Sequence, residues 1–149
     1  MIKNYERFFG AVFTRMATHS DDGVNILKFP SKSNASFVVN NQFGLYIKYS
    51  SSRLSPWQFS FAKEHQDEIL EMRGYFEHVF VIFVCNDNGI ACLNFEELKQ
   101  ILDEHHQDTE WIRVSRNKRE KYSVAGTDGK LNFKIGDSDF PKKVLDKNY

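Results

Sequence analysis

Lys48 stands two residues after Tyr46 and two before Ser50, in the run GLYIKYS from Gly44 to Ser50. Alternate residues of an extended chain share a face. A phenol, an amine and a hydroxyl therefore line one side of this run, and Leu45, Ile47 and Tyr49 the other. An amine so placed can contact a phosphate or offset developing negative charge. Lys28, Lys32, Arg53 and Lys63 fall in the same part of the chain, with Tyr49 and Trp57 among them, and no Asp or Glu lies between Val24 and Lys63. Cations interleaved with rings suit contacts to a nucleic-acid backbone and stacking on its bases. The strand carrying Lys48 is expected to bury its apolar face and display its polar one.

A second basic cluster, Arg113, Arg116, Lys118, Arg119 and Lys121, sits on and beside a hairpin turn that could reach a groove. The candidate nucleic-acid contacts are thus Lys28, Lys32, Lys48, Arg53, Arg116, Lys118, Arg119 and Lys121. The competing expectation is that Trp57, Phe59 and Phe61 belong to the core and that the hairpin charges only solvate an exposed turn.

The elements that must position these residues can be read along the chain. Phe8, Phe9, Val12, Phe13 and Met16 fall on one helical stripe, which predicts a helix from Lys3 to Thr18. A turn from His19 to Gly23 leads to a strand over Val24 to Phe29, stopped by Pro30. Strands follow at Ser36 to Asn40 and Leu45 to Ser50, then a serine-rich loop and the alternating run Trp57 to Phe61. A surface helix is expected over Ala62 to Met72, with Glu64, Asp67, Glu68 and Glu71 solvated. His78 to Cys85 is the most apolar run and the expected central strand. With Asn88-Gly89 as a two-residue turn, the chain returns through Ile90 to Leu93 and sets Cys85 opposite Cys92. Asn94 caps a helix carrying Leu98, Ile101 and Leu102 inward.

The remainder reads as a meander: Trp111 to Ser115, a basic turn from Arg116 to Glu120, and Lys121 to Ala125. An Asp128-Gly129 turn then sets Val124 opposite Phe133 and Tyr122 opposite Ile135. The tail from Gly136, with Phe140, Pro141 and Val144, is expected to drape over the core. These elements make a mixed α/β (α+β) fold with a central mixed sheet and helices packed on it. A single domain over residues 1–149 is expected, its core in roughly 1–93 and a C-terminal helix and antiparallel meander in roughly 94–149.

The element order helix, three strands, helix, strand resembles the core of the restriction-endonuclease-like, or PD-(D/E)xK, superfamily. The resemblance covers about the first 85 residues and is carried by that αβββαβ order and by Lys48. In that superfamily the second strand supplies an Asp, and the third supplies an acid and a lysine two residues apart. The acids hold a divalent metal that activates water against a phosphodiester, and the lysine stabilises charge. Lys48 stands where the resemblance puts the lysine, but Tyr46 occupies the acid's position. A tyrosine and a lysine do not bind magnesium, which requires hard anionic oxygens. The resemblance therefore implies a degenerate, non-catalytic site that binds nucleic acid without a cofactor. A nuclease using magnesium would need carboxylates imported from Glu6, Asp21, Asp22, Glu64, Asp67 or Glu68.

Zero net charge conceals a segregation. Residues 24–63 carry five bases and no acid, residues 64–110 carry twelve acids and two bases, and residues 111–149 carry ten bases and five acids. Opposed charged surfaces on one small domain bear on partners rather than on fold. DNA or RNA would suit the basic surface. A basic protein partner would suit the acidic one, with its carboxylates in the role of phosphates, and this is the alternative function.

Fourteen Phe in 149 residues call for a core built on aromatic contacts. No apolar run is long enough to span a bilayer, so no membrane partner is expected. The apolar stretch Phe8 to Phe13 lacks a following small-residue cleavage site, and two cysteines make no disulfide framework. A reduced, cytoplasmic protein is the expectation. His105 and His106 beside Asp103, Glu104 and Asp108 read better as a frayed acidic helix end than as a metal site, and His19 and His65 have no evident partners.

Overall fold

A computed structural model describes residues 1–19, 21–106, 108–147 and 149, so Ser20 of the expected first turn lies outside the described residues. The fold is mixed α+β, with two sheets. The first helix, α1 (Asn4–His19), precedes three antiparallel strands, β1 (Ile26–Lys28), β2 (Ser36–Val39) and β3 (Phe43–Ser50). After β4 (Trp57–Phe61) and α2 (Lys63–Tyr75), strand β5 (His78–Cys85) lies parallel to β3. A parallel neighbour requires a long crossover, and here β4 and α2 provide it. Strand β6 (Gly89–Asn94) returns antiparallel along β5, giving a five-stranded sheet in the order β1-β2-β3-β5-β6. Helix α3 (Phe95–Ile101) leads to β7 (Glu110–Ser115), β8 (Ser123–Gly126) and β9 (Gly129–Lys130). These three join β4 in a second, antiparallel sheet in the order β4-β7-β8-β9. A 3₁₀ turn (Asp137–Asp139) and a short helix, α4 (Lys142–Leu145), close the chain.

The larger sheet is covered on both faces. Phe8, Phe9, Val12 and Met16 of α1 pack with Leu45, Ile47, Phe80 and Ile82, and Phe140 and Val144 of the tail join them, as the draped tail requires. The opposite face meets the smaller sheet and α2: Tyr46, Val81 and Phe83 pack with Trp57, Phe59, Phe61, Ile112, Val114, Ile69 and Met72. Phe83 is central there, 4.9 Å from the Phe59 ring and 6.0 Å from Phe61. Full burial of a side chain of that size stabilises by about 1.5–3 kcal/mol. Trp57 is core, 1% exposed, its indole N–H donating to the Ser52 carbonyl at 2.8 Å.

Burial of both faces corrects the expectation for β3. Its polar side is not displayed: Tyr46 is 2% exposed and Lys48 half-buried, because β4 and α2 fold over them. Helix α2 is likewise less superficial than its sparse apolar residues suggest. Gln66 is buried and donates to Glu110 at 3.0 Å, and Glu68 is held by serines rather than solvated.

Two hairpins differ from the expected register. In the β5–β6 pair the loop is Asn86-Asp87-Asn88, with Asn86 at φ 48°, so Cys85 pairs with Gly89 and Cys92 with Ile82. The two thiols thus point to opposite faces of the sheet, and burial pushes each up to about 12. Gly89 is obligatory there: at φ 157° an added Cβ would lie 2.5 Å from both Asp137 Oδ1 and the Tyr122 hydroxyl. In the meander, Thr127-Asp128 forms the turn, pairing Ala125 with Lys130 and Gly126 with Gly129. Tyr122 faces Ile135 as expected, but Val124 receives the Leu131 amide, and Phe133 is left 44% exposed.

The physical reason is α3, whose last carbonyls press on the two glycines. A Cβ on Gly126 would lie 2.4 Å from the Ile101 carbonyl oxygen. Gly126→Ala is expected to cost about 2 kcal/mol by overpacking against backbone. Gly10→Ala, where a Cβ meets nothing within 4 Å, should instead gain up to about 1 kcal/mol of helix propensity. Urea unfolding of the two variants checks the contrast, and equal midpoints would contradict the close approach.

Candidate functional site

Lys48 reaches inward from β3 under β4. Its Nζ donates to the Ser60 carbonyl and to His65 Nδ1 at 3.2 Å, and lies 4.6 Å from the centroid of the Phe61 ring. Burial lowers this amine from 10.5 to about 8. His65, on the first turn of α2, also accepts the Ala62 amide on Nδ1 at 3.0 Å. With two donors on that nitrogen the neutral ring carries its proton on Nε2. Burial and then the neighbouring Lys48 charge lower the His65 pKa, which favours that neutral form. The histidine without an evident partner in the sequence therefore anchors the lysine. His19 also has a partner, Asp146, at 2.7 Å.

One strand away, Ser36 of β2 pairs in register with Tyr46. Glu68 of α2 reaches this pair, accepting from the Ser33 hydroxyl at 2.5 Å and from the Ser36 hydroxyl. The Tyr46 hydroxyl is held neutral by burial and, less strongly, by the Glu68 charge. Of the carboxylates that could be imported, helix α2 thus brings Glu68 to the Tyr46 side of β3. Lys28, whose amine donates to the Phe29 carbonyl and the Ser31 hydroxyl, feels the same carboxylate; burial lowers its pKa while Glu68 opposes that. Lys63 is paired with Asp67 at 2.7 Å, and Lys32 is exposed.

The remaining candidate metal ligands do not gather at Lys48. Glu6 belongs to α1, on the opposite face of the larger sheet; Asp21 and Asp22 are exposed in the turn before β1. Glu64 is exposed, and Asp67 is engaged by Lys63 and by His106 Nε2 at 2.9 Å. Among the described residues no cluster of three His, Cys, Asp or Glu side chains could hold a metal ion. One carboxylate already committed to two hydroxyls does not fit magnesium, which takes several hard oxygens in octahedral geometry.

Charge gathers elsewhere. The Ser50 to Pro56 loop and the Arg116 to Lys121 turn meet at one end of the smaller sheet, where the Arg116 amide donates to Ser55 Oγ at 3.2 Å. Asn86 donates to the Ser51 carbonyl at 3.2 Å and ties the β5–β6 turn to the same end. Arg116 itself is a strut: its guanidinium donates to the Asn88 carbonyl at 2.9 Å and lies 4.3 Å from the centroid of the Tyr122 ring. Arg53, Lys118, Arg119 and Lys121 are exposed there. The one acid of the turn, Glu120, is paired with Lys134 at 3.0 Å.

Lys48 does not join this basic end. Ser60 pairs with Trp111, four residues along β7 from Ser115, which is roughly 13 Å. At the Glu110 end of β7 acids collect: Asp103 and Asp128 lie near the carboxyl of Glu110, which burial raises, and Glu104 and Asp108 are exposed in the preceding loop. The acids are not one continuous face, since Asp87 lies at the basic end and Glu97 is buried against Lys143 at 2.6 Å. That last pair lines a hollow of about 950 Å³ between Phe43, Phe80 and the C-terminal tail, whose lining includes Lys134 but none of the candidate nucleic-acid contacts.

Of the aromatic set expected beside the first basic cluster, only Tyr49 keeps an exposed edge. Tyr46 and Trp57 are core, and Tyr49 stacks on Phe8 at 5.0 Å. The outward ring is Trp111, on β7. Its signal was readable, because 111, 113 and 115 alternate with the buried Ile112 and Val114. Compared with protein-family models, with curated proteins and with solved structures, the chain matches none of the three. No helix is long and apolar enough to cross a membrane among the described residues.

Proposed function

We propose that this chain binds nucleic acid through its basic end, on a fold similar to that of the PD-(D/E)xK nucleases, without cutting it. The observation that carries the reading is the meeting of the Arg53 loop with the Arg116 to Lys121 turn. It sets Arg53, Lys118, Arg119 and Lys121 in solvent together, while the acid between them is neutralised by Lys134. Exposed cations on a protruding turn suit phosphates, whose displaced counterions drive association. The surroundings of Lys48 support the non-catalytic reading. Tyr46 takes the acid's place, Ser36 stands across from it, and Glu68 is spent on two serines.

The test is fluorescence anisotropy of labelled single-stranded and duplex oligonucleotides at low ionic strength, beside incubation of plasmid with magnesium or manganese. Binding with intact plasmid is expected. Metal-dependent cleavage would instead favour the nuclease with relocated carboxylates, with Glu68 first among them.

A second reading has its own observation. The acids at the Glu110 end of β7 lie the length of a strand from the basic end, and a basic protein could dock there. It would then be retained on a basic protein partner whose binding survives mutation of the Arg116 to Lys121 turn.

A further inference from the structure

We infer that the outer face of the smaller sheet is a platform for single-stranded nucleic acid, with Trp111 as its principal stacking ring. This rests on the nucleic-acid reading above and specifies the form of the ligand. The inner face of that sheet is core: Trp57, Phe59, Phe61, Ile112, Val114 and Val124 are all buried. The period of two therefore sends Gln58, Ser60, Trp111, Arg113, Ser115, Ser123, Ala125 and Lys130 outward. Those eight carry two cations, an indole, hydroxyls and an amide, and no carboxylate.

Register makes the face continuous. Gln58 pairs with Arg113, Ser60 with Trp111, Arg113 with Ala125 and Ala125 with Lys130. The Arg113 guanidinium lies 5.0 Å from the centroid of the indole. An arginine plane over a ring offers bases a stacking surface and phosphates a charge. Beyond Ala125 the face runs into an open hollow of about 380 Å³ lined by Ser123, Lys130, Leu131, Asn132, Phe133 and Lys134. The exposed Phe133 ring lines that hollow with Lys130 and with Lys134, which is paired with Glu120. From Arg113 to Lys130 is two strand spacings, roughly 10 Å. At its other edge the face adjoins Ser115 and the basic turn.

A duplex hides its base faces, whereas a single strand offers them together with its phosphates. Charge complementarity and an outward indole on that face fit the single strand. Neither contact involves the 2′-hydroxyl, so DNA and RNA strands share the chemistry.

The experiment titrates the full chain with oligothymidylate and with oligouridylate of about 12 nucleotides, a length within the usual site size of such platforms, and with a mixed-sequence duplex. Trp57 is buried, so quenching of indole fluorescence reports Trp111. Trp111→Ala is expected to weaken binding of at least one single strand roughly 5- to 100-fold and to leave duplex binding unchanged. Trp111→Phe, which keeps a ring, should retain most of the affinity. Because Arg113 is exposed, Arg113→Ala tests the same face without risk to the core. Single-strand affinities equal to wild type in both alanine variants would overturn the platform while leaving the basic-end reading intact. Failure of wild type to bind any of the three at low salt would overturn both.

Discussion

Replacing Arg53, Lys118, Arg119 and Lys121 together by glutamate should weaken nucleic-acid binding by about 100-fold or more at low salt. Each cation that neutralises a phosphate lowers log K by about 0.9 per decade of salt on a duplex and about 0.7 on a single strand. Four such contacts correspond to a loss of about 50- to 150-fold between roughly 50 and 200 mM salt, and reversed charge adds repulsion to that loss. The fold should survive, because all four side chains are exposed. Arg116 is left out deliberately, since it holds the Asn88 turn and the Tyr122 ring. Anisotropy titrations, with an unfolding curve to confirm stability, check the result. An unaltered affinity would remove the basic end from the account.

Lys48→Met should raise stability near pH 7, and the advantage should fade as pH rises. The folded amine releases its proton near 8, while the unfolded lysine holds it to 10.5. Between those values the unfolded chain binds more protons, so wild-type stability climbs with pH; below about 8 the full cost of the buried charge is present. The difference corresponds to about 3 kcal/mol, reduced in the variant by the lost Phe61 and His65 contacts. Methionine keeps the length of the stem among apolar neighbours. Urea midpoints of both proteins at pH 7 and at pH values approaching 10 measure the gap, and other titrating groups cancel in the difference. A variant less stable than wild type at pH 7 would show that the lysine's contacts outweigh its burial.

The legible parts of the fold are those set by local pattern. Trp57–Phe61 and His78–Cys85 match the expected strands residue for residue, one from strict alternation after Pro56 and the other from an apolar run ended by Asn86. Asn94 caps α3 as expected, accepting the Glu97 amide at 2.8 Å while Glu97 accepts its own at 2.9 Å. Less was legible wherever one element covers another distant in sequence. Alternation in β3 showed two faces but not that β4 and α2 would cover the polar one. Glu68 reaches Ser36 across thirty-two residues, so the sequence offered it only as one of six candidate carboxylates and did not place it beside Tyr46. The register of the meander hairpin was missed for a similar reason. Gly126 and Gly129 are chosen by contact with α3 rather than by turn preference. The two basic clusters were visible as composition. That Arg53 joins the second and Lys48 joins neither depends on a loop contact formed by Ser55.

The most direct test of the account is the salt dependence of nucleic-acid binding by the unmodified chain. With about four phosphate contacts, log K against log salt should fall with a slope of about −3 to −4. The glutamate variant should bind too weakly to give one. A slope near zero, or no binding at the lowest salt, would contradict it.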